Sequence, residues 1–106
     1  MDKKTSKIIK ILRKFKKKIE KNLSLDSLIL FGSRARGDER ENSDVDLIIV
    51  SKDFEGKKSF KRAVKFYLDW DWDYNTDIIC LTPRELENKK NQIGIIQSAL
   101  NDGIEI

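Results

Sequence analysis

The chain contains no histidine. That absence removes Ser-His and Cys-His nucleophilic machinery and the usual imidazole-bearing zinc sites, so carboxylates must carry any acid–base or metal work. There is one cysteine, Cys80, between Ile79 and Leu81. A lone thiol in an apolar run reads as a buried, reduced core residue rather than a disulfide partner or a nucleophile. One proline and five glycines in 106 residues give no Pro- or Gly-rich linker, and no internal repeat is visible. No hydrophobic run approaches the roughly 20 residues needed to span a bilayer, and the N-terminus lacks the apolar stretch of a signal peptide. A cytoplasmic location without a membrane partner is expected. At this length one core is affordable, but not two domains side by side.

Charge is plentiful and uneven. Lys and Arg total 22 against 18 Asp and Glu, net +4. Residues 1–21 hold ten Lys/Arg and two acids, net +8, so residues 22–106 contribute 12 − 16 = −4. Within the basic stretch Ile8, Leu12, Phe15 and Ile19, with Ile11 beside them, recur at helical spacing. This predicts an amphipathic helix from Ser6 to Lys21 that packs its stripe on a core and shows a lysine-rich face. Such a face is either solvated or a surface for RNA or an acidic protein. Aromatics are not interleaved with the lysines, which weakens a single-strand-binding reading.

The chemistry concentrates in residues 32–46, Gly-Ser-Arg-Ala-Arg-Gly-Asp-Glu-Arg-Glu-Asn-Ser-Asp-Val-Asp. Gly32-Ser33 closes one short apolar run, Leu28 to Phe31, and Asp44-Val45-Asp46 opens the next, Val45 to Val50. Both runs read as buried strands. Gly32 can take a positive φ and bring backbone close to a ligand. Ser33 to Gly37 is long enough for one helical turn whose N–H groups face an anion, and Arg34 and Arg36 add fork-shaped donors suited to phosphate oxygens. Asp44 and Asp46, at i and i+2, project to one side of a strand. Two such carboxylates can share a pair of Mg²⁺ ions about 3.5–4 Å apart, the arrangement for in-line displacement at phosphorus. The bland alternative is a polar loop with solvated acids.

This pattern of Gly32-Ser33, ten residues, then Asp44-Val45-Asp46 resembles the signature of the DNA polymerase beta-like nucleotidyltransferase superfamily, and the size of the chain resembles its minimal nucleotidyltransferases. The resemblance covers Leu28 to Ile106. It implies an α/β (α+β) fold: a small mixed sheet with helices mainly on one face, organised as a basic helix over 1–22 and a catalytic core over 27–106. It implies metal ligation by Asp44 and Asp46, with Asp77 on a later strand as the third carboxylate that helps activate the attacking hydroxyl. Gly32 and Ser33 would bind triphosphate, with Arg34, Arg36 and Ser43 completing the nucleotide site. Two Mg²⁺ ions, with Mn²⁺ as a substitute, would be the cofactors and ATP the donor. Minimal members are commonly paired with a HEPN-domain protein encoded nearby and modify a tyrosine of that toxin, which implies an antitoxin role. Transfer to a small hydroxylated molecule and a non-catalytic nucleotide- or partner-binding module are the competing functions.

Further along, Phe60, Val64, Tyr67 and Trp70, with Ala63 beside them, predict a second amphipathic helix from Ser59. The block Asp69 to Tyr74 that follows holds a second Asp-Xaa-Asp, Asp71 and Asp73, with no Gly-Ser pair leading into it. Its tryptophans are expected to cover the core edge, with base stacking by Trp72 or Tyr74 as the alternative. A strand from Thr76 to Leu81 ends at Thr82-Pro83-Arg84-Glu85, a capping box with proline at the first helical position. That helix should run to Lys90. Ile93, Ile96, Ala99 and Leu100 mark a last helix from Asn91, stopped by Gly103, with an edge strand over 104–106.

Overall fold

The protein is described as a computed structural model covering residues 3–37 and 43–106, so the middle of the Gly32–Asp46 segment lies outside the described residues. The basic stretch forms α1 (Lys3–Glu20), followed by β1 (Leu25–Phe31), the single turn α2 (Ser33–Arg36) and β2 (Val45–Ser51). A 3₁₀ turn, Lys52–Phe54, leads to α3 (Ser59–Arg62) and α4 (Val64–Leu68). Then come β3 (Thr76–Leu81), α5 (Pro83–Lys89), α6 (Ile95–Asp102) and β4 (Ile104–Glu105). The sheet order is β3-β2-β1-β4. β1 runs antiparallel to β2 and β4, whereas β2 and β3 are parallel.

Alternation along the central strands sorts their side chains into two layers. Leu28, Leu30, Val45, Leu47, Ile49, Ile78 and Cys80 join Ile8, Leu12, Phe15 and Ile19 of α1 in the larger core, with Phe54 and Phe66. Phe15 is fully buried and meets Trp70 and Trp72 edge-on at 5.2 and 6.2 Å. Truncating it to alanine would cost about 3–5 kcal/mol. The opposite face carries a smaller cluster, in which Ile29, Phe31, Ile48, Val50 and Leu81 pack on Ile96 and Ala99 of α6. Not all of the lysine face of α1 is solvent-directed. Lys16 Nζ donates to the Ile106 carbonyl at 3.0 Å, and Lys18 Nζ reaches the Asp69 carbonyl and Asp71 Oδ2, both at 2.9 Å.

Three local expectations give way to tertiary context. The stretch from Ser59 is two short helices broken at Ala63, and the predicted apolar face is split: Ala63 and Trp70 pack on the larger core, but Phe60 is 72% and Val64 57% exposed. Buried in its place are Phe66 and the guanidinium of Arg62, which bonds the Lys57 and Cys80 carbonyls and pairs with Glu85. The last helix begins at Ile95 rather than Asn91, leaving Ile93 in solvent. Gly103 stops α6 in extended conformation, φ −74°, not as a left-handed cap. A Cβ there would run into the Ala99 carbonyl and sit 2.8 Å from Ile29 Cγ2, so glycine is needed for close packing. The Thr82 box forms as its sequence dictates: Thr82 Oγ1 accepts from Glu85 N–H at 3.1 Å, and Glu85 Oε1 accepts from Thr82 N–H at 2.8 Å.

Candidate active site

Strand register brings the carboxylates together. Phe31 pairs with Asp46 across β1–β2, and Asp46 pairs with Asp77 across the parallel β2–β3 ladder. In-register neighbours project to the same face of a sheet, here the face that α6 covers. Asp44 lies just ahead of β2 and is exposed, as is Asp77, whereas Asp46 is half-buried between them. The Asp46 carboxyl is held above its usual 3.8 by burial first, then by the charges of Asp77 and Asp44. Arg36 opposes that shift. Two like charges acting on one partly desolvated carboxylate form a site that gains from a cation.

Gly32 makes the close approach possible. Its backbone, φ 76° and ψ −159°, lies in a region reserved almost wholly for glycine. A Cβ added there would enter the Asp46 Oδ2 oxygen and lie 3.2 Å from its Cγ. The glycine is therefore demanded by the carboxylate as well as by any incoming phosphate. Ser33 opens α2, in which the Gly32 carbonyl accepts from the Ala35 and Arg36 amides at 3.1 and 3.2 Å. The earlier amides, of Ser33 and Arg34, fall outside the helix ladder.

Arg34 and Arg36 part company. Arg36 is exposed and lines the cleft with Gly32, Asp46 and Asp77. Arg34 is buried, 5% exposed, and its Nε and Nη2 donate to the Ser43 carbonyl at 3.0 and 2.8 Å. Its guanidinium lies 4.9 Å over the Tyr74 ring. A phosphate contact by Arg34 is thus not what its placement provides: the fork is spent on the backbone just before Asp44. Ser43, expected beside the nucleotide, contributes its carbonyl to that tether. Trp72 packs with Trp70 and Phe15 in the larger core, away from the carboxylate face, and Tyr74 supports Arg34. Asp71 sits at the surface in its ion pair with Lys18, and Asp73 is also exposed.

The cleft holds about 410 Å³ and has a second wall that no motif announced: Ile95, Ser98, Ala99 and Asp102 of α6. These residues lie far along the chain from the Gly-Ser motif; helical spacing marked Ala99, as core, and nothing in the sequence marked the other three. Among the described residues no three carboxylates close into a preformed metal cage. Mg²⁺ typically takes only one or two carboxylates and completes its shell with water and substrate phosphates, so the Asp44, Asp46 and Asp77 oxygens fit a metal that arrives with its nucleotide.

A mixed sheet with paired carboxylates at adjacent strand ends, beside a Gly-Ser turn and an arginine, is a framework for handling nucleoside triphosphates. Comparison with known proteins makes the class definite. The sequence model of the nucleotidyltransferase domain matches residues 12–104. The chain is 36% identical over 101 residues to a Methanocaldococcus jannaschii protein named "Putative protein adenylyltransferase", covering 93% of this chain and 98% of that one. The fold matches a crystal structure of a putative nucleotidyltransferase from Sulfolobus solfataricus, with TM-score 0.71 and 23% identity over 96% of this chain and 81% of the other. It also matches a chain in a crystal structure of a toxin–antitoxin with AMP-PNP, with TM-score 0.51 and 24% identity over 95% and 70% of the two chains. The chain belongs to the nucleotidyltransferase domain family and is a nucleotidyltransferase enzyme.

Proposed function

We propose that this enzyme transfers AMP from ATP to a hydroxyl of a partner protein, a tyrosine of a HEPN-type toxin, and so acts as the antitoxin of a pair. The observation that carries the reading is the in-register Asp46–Asp77 pair in a cleft also lined by Gly32 and Arg36. The named relative supports a protein acceptor and an adenylyl donor, and the toxin–antitoxin structure shares the fold.

Asp44, Asp46 and Asp77 would hold Mg²⁺, or Mn²⁺ in its place; when bound, the metal supplies charge neutralisation on the triphosphate and acidifies the acceptor hydroxyl. The Gly32-Ser33 backbone and Arg36 hold the β- and γ-phosphates. Asp77, exposed at the cleft mouth, faces the acceptor oxygen and takes its proton. A bond forms from that oxygen to the α-phosphorus, the bond to the β-phosphate bridging oxygen breaks, and pyrophosphate leaves. The protein's contribution is mainly alignment and preorganised charge.

The test is transfer of label from α-labelled ATP to a purified HEPN-domain protein, run beside equilibrium ATP binding. Asp77→Ala should lower the transfer rate far more than ATP affinity, as for an interaction made chiefly in the transition state. Full transfer by Asp77→Ala, or equal turnover in excess chelator, refutes this assignment.

A further inference from the structure

A second groove opens beside the cleft, on the outer side of β3. Phe60 and Ala63 of α3 and its end form one wall, Lys89, Ile95 and Ile96 the other, and the side chains of β3 the floor. It holds about 580 Å³, more than the cleft itself. Ile79 and Ile95 line both spaces, so the two lie side by side.

Its walls are apolar and left in water. Phe60 is 72% exposed and Ile95 62%. Large apolar side chains grouped at a concave surface mark a place that a partner covers. Its unpaired charge is positive. Lys89 stands in the lining, and Lys61 Nζ lies 6.0 Å from the Phe60 ring. The carboxylate in the lining, Glu85, is already neutralised by Arg62. Among the described residues neither Lys61 nor Lys89 has an ion pair. The edge of β3 is also stoppered: the Ile78 N–H donates to the Tyr67 hydroxyl at 2.9 Å, and the Cys80 carbonyl accepts from Arg62 Nη1 at 3.3 Å. With those groups taken, recognition here goes through side chains rather than by adding a strand to the sheet.

We infer that this groove docks the acceptor polypeptide, as an extended segment with apolar anchors against Phe60 and Ile96 and carboxylates toward Lys61 and Lys89. Its hydroxyl-bearing residue passes between Ile79 and Ile95 to reach Asp77. The inference rests on the protein-acceptor reading above and adds where the acceptor lies and what chemistry selects it.

Phe60→Ser and Lys89→Glu test it, because both residues are exposed and neither lines the catalytic cleft. Both variants should raise KM for the partner protein by roughly tenfold while leaving kcat and ATP affinity at parent values. A short fluorescent peptide of Glu, Leu and Tyr should bind the parent about tenfold more tightly than its Lys-for-Glu twin; Lys89→Glu should lose that preference, whereas Phe60→Ser should weaken both peptides and keep it. Unchanged KM in Phe60→Ser overturns the groove but leaves the protein-acceptor reading intact. Equal binding of the two peptides overturns the charge selection. A parent that sediments as a dimer dissolved by Phe60→Ser assigns the groove to a second copy of the chain. A parent that binds ATP yet labels no protein overturns the protein-acceptor reading and the groove's role with it.

Discussion

Replacing Gly32 with alanine isolates what the Gly-Ser turn contributes, because the chain supplies its own control. Gly32 and Gly37 flank the same short helix, and both have positive φ, 76° and 79°. At Gly37 a Cβ meets nothing within 4 Å, so Gly37→Ala carries only the left-handed backbone cost, about 1–2 kcal/mol. At Gly32 the backbone cost is about 1–3 kcal/mol, since ψ −159° puts it in the glycine-only region. The new methyl also enters the Asp46 carboxylate, adding overpacking of about 1–3 kcal/mol. Gly32→Ala should therefore lose about 2–6 kcal/mol in denaturant titrations. The functional consequence is larger than the stability loss implies. Relief of the clash moves Asp46, and a displacement of about 1 Å in a catalytic group costs about 100-fold in rate. Turnover of α-labelled ATP by Gly32→Ala should fall by at least about 100-fold at a temperature where it is folded, with Gly37→Ala within a few-fold of the parent. Parent-level turnover in Gly32→Ala would refute the claim that the glycine exists to admit Asp46.

Arg34→Lys removes a two-pronged bond and a flat stacking partner while keeping the charge. It should cost about 1–3 kcal/mol and raise the Mg²⁺ concentration for half-maximal activity, because Ser43 leads directly into Asp44. Weakened ATP affinity with an unchanged Mg²⁺ requirement would return Arg34 to the phosphates. Asp46→Asn should stabilise the metal-free protein at neutral pH. A carboxyl whose folded pKa is raised above 3.8 destabilises the fold increasingly as pH rises through the window above that value, so the advantage should vanish in acid. Mg²⁺ together with ATP should raise the melting temperature of the parent and have much less effect on Asp46→Asn. Glu85→Gln keeps the helix-capping acceptor but removes the charge facing buried Arg62. The Arg62 hydrogen bond, then that of the Thr82 backbone, holds the Glu85 carboxyl below its usual 4.5. Its contribution is present above that pH and lost as pH falls through the lowered value. The variant should lose about 1.5–3 kcal/mol at neutral pH, with the gap to the parent closing in acid; a gap independent of pH would deny the pair its electrostatic role.

What the sequence determined by itself was whatever depends on neighbours along the chain. The stripe of Ile8, Leu12, Phe15 and Ile19 is α1, the Thr82–Glu85 box starts α5, and the β-branched runs are β1, β2 and β3. Glycine at 32, serine at 33 and carboxylates at 44 and 46 were legible as candidates, because spacing and residue type are one-dimensional, whereas Asp77 was marked only by the family resemblance. The partners of those residues were decided by the tertiary structure. Parallel pairing of β2 with β3 set Asp77 beside Asp46, and no pattern in the chain stated that register. Burial inverted two readings taken from residue type alone. Arg62 is enclosed and Phe60 exposed because Glu85 and two carbonyls could satisfy the guanidinium. Arg34 likewise turned to the Ser43 carbonyl, with the Tyr74 ring beneath its guanidinium. A side chain's chemistry is local, but whether it faces a ligand or holds the scaffold is fixed by what the fold packs against it.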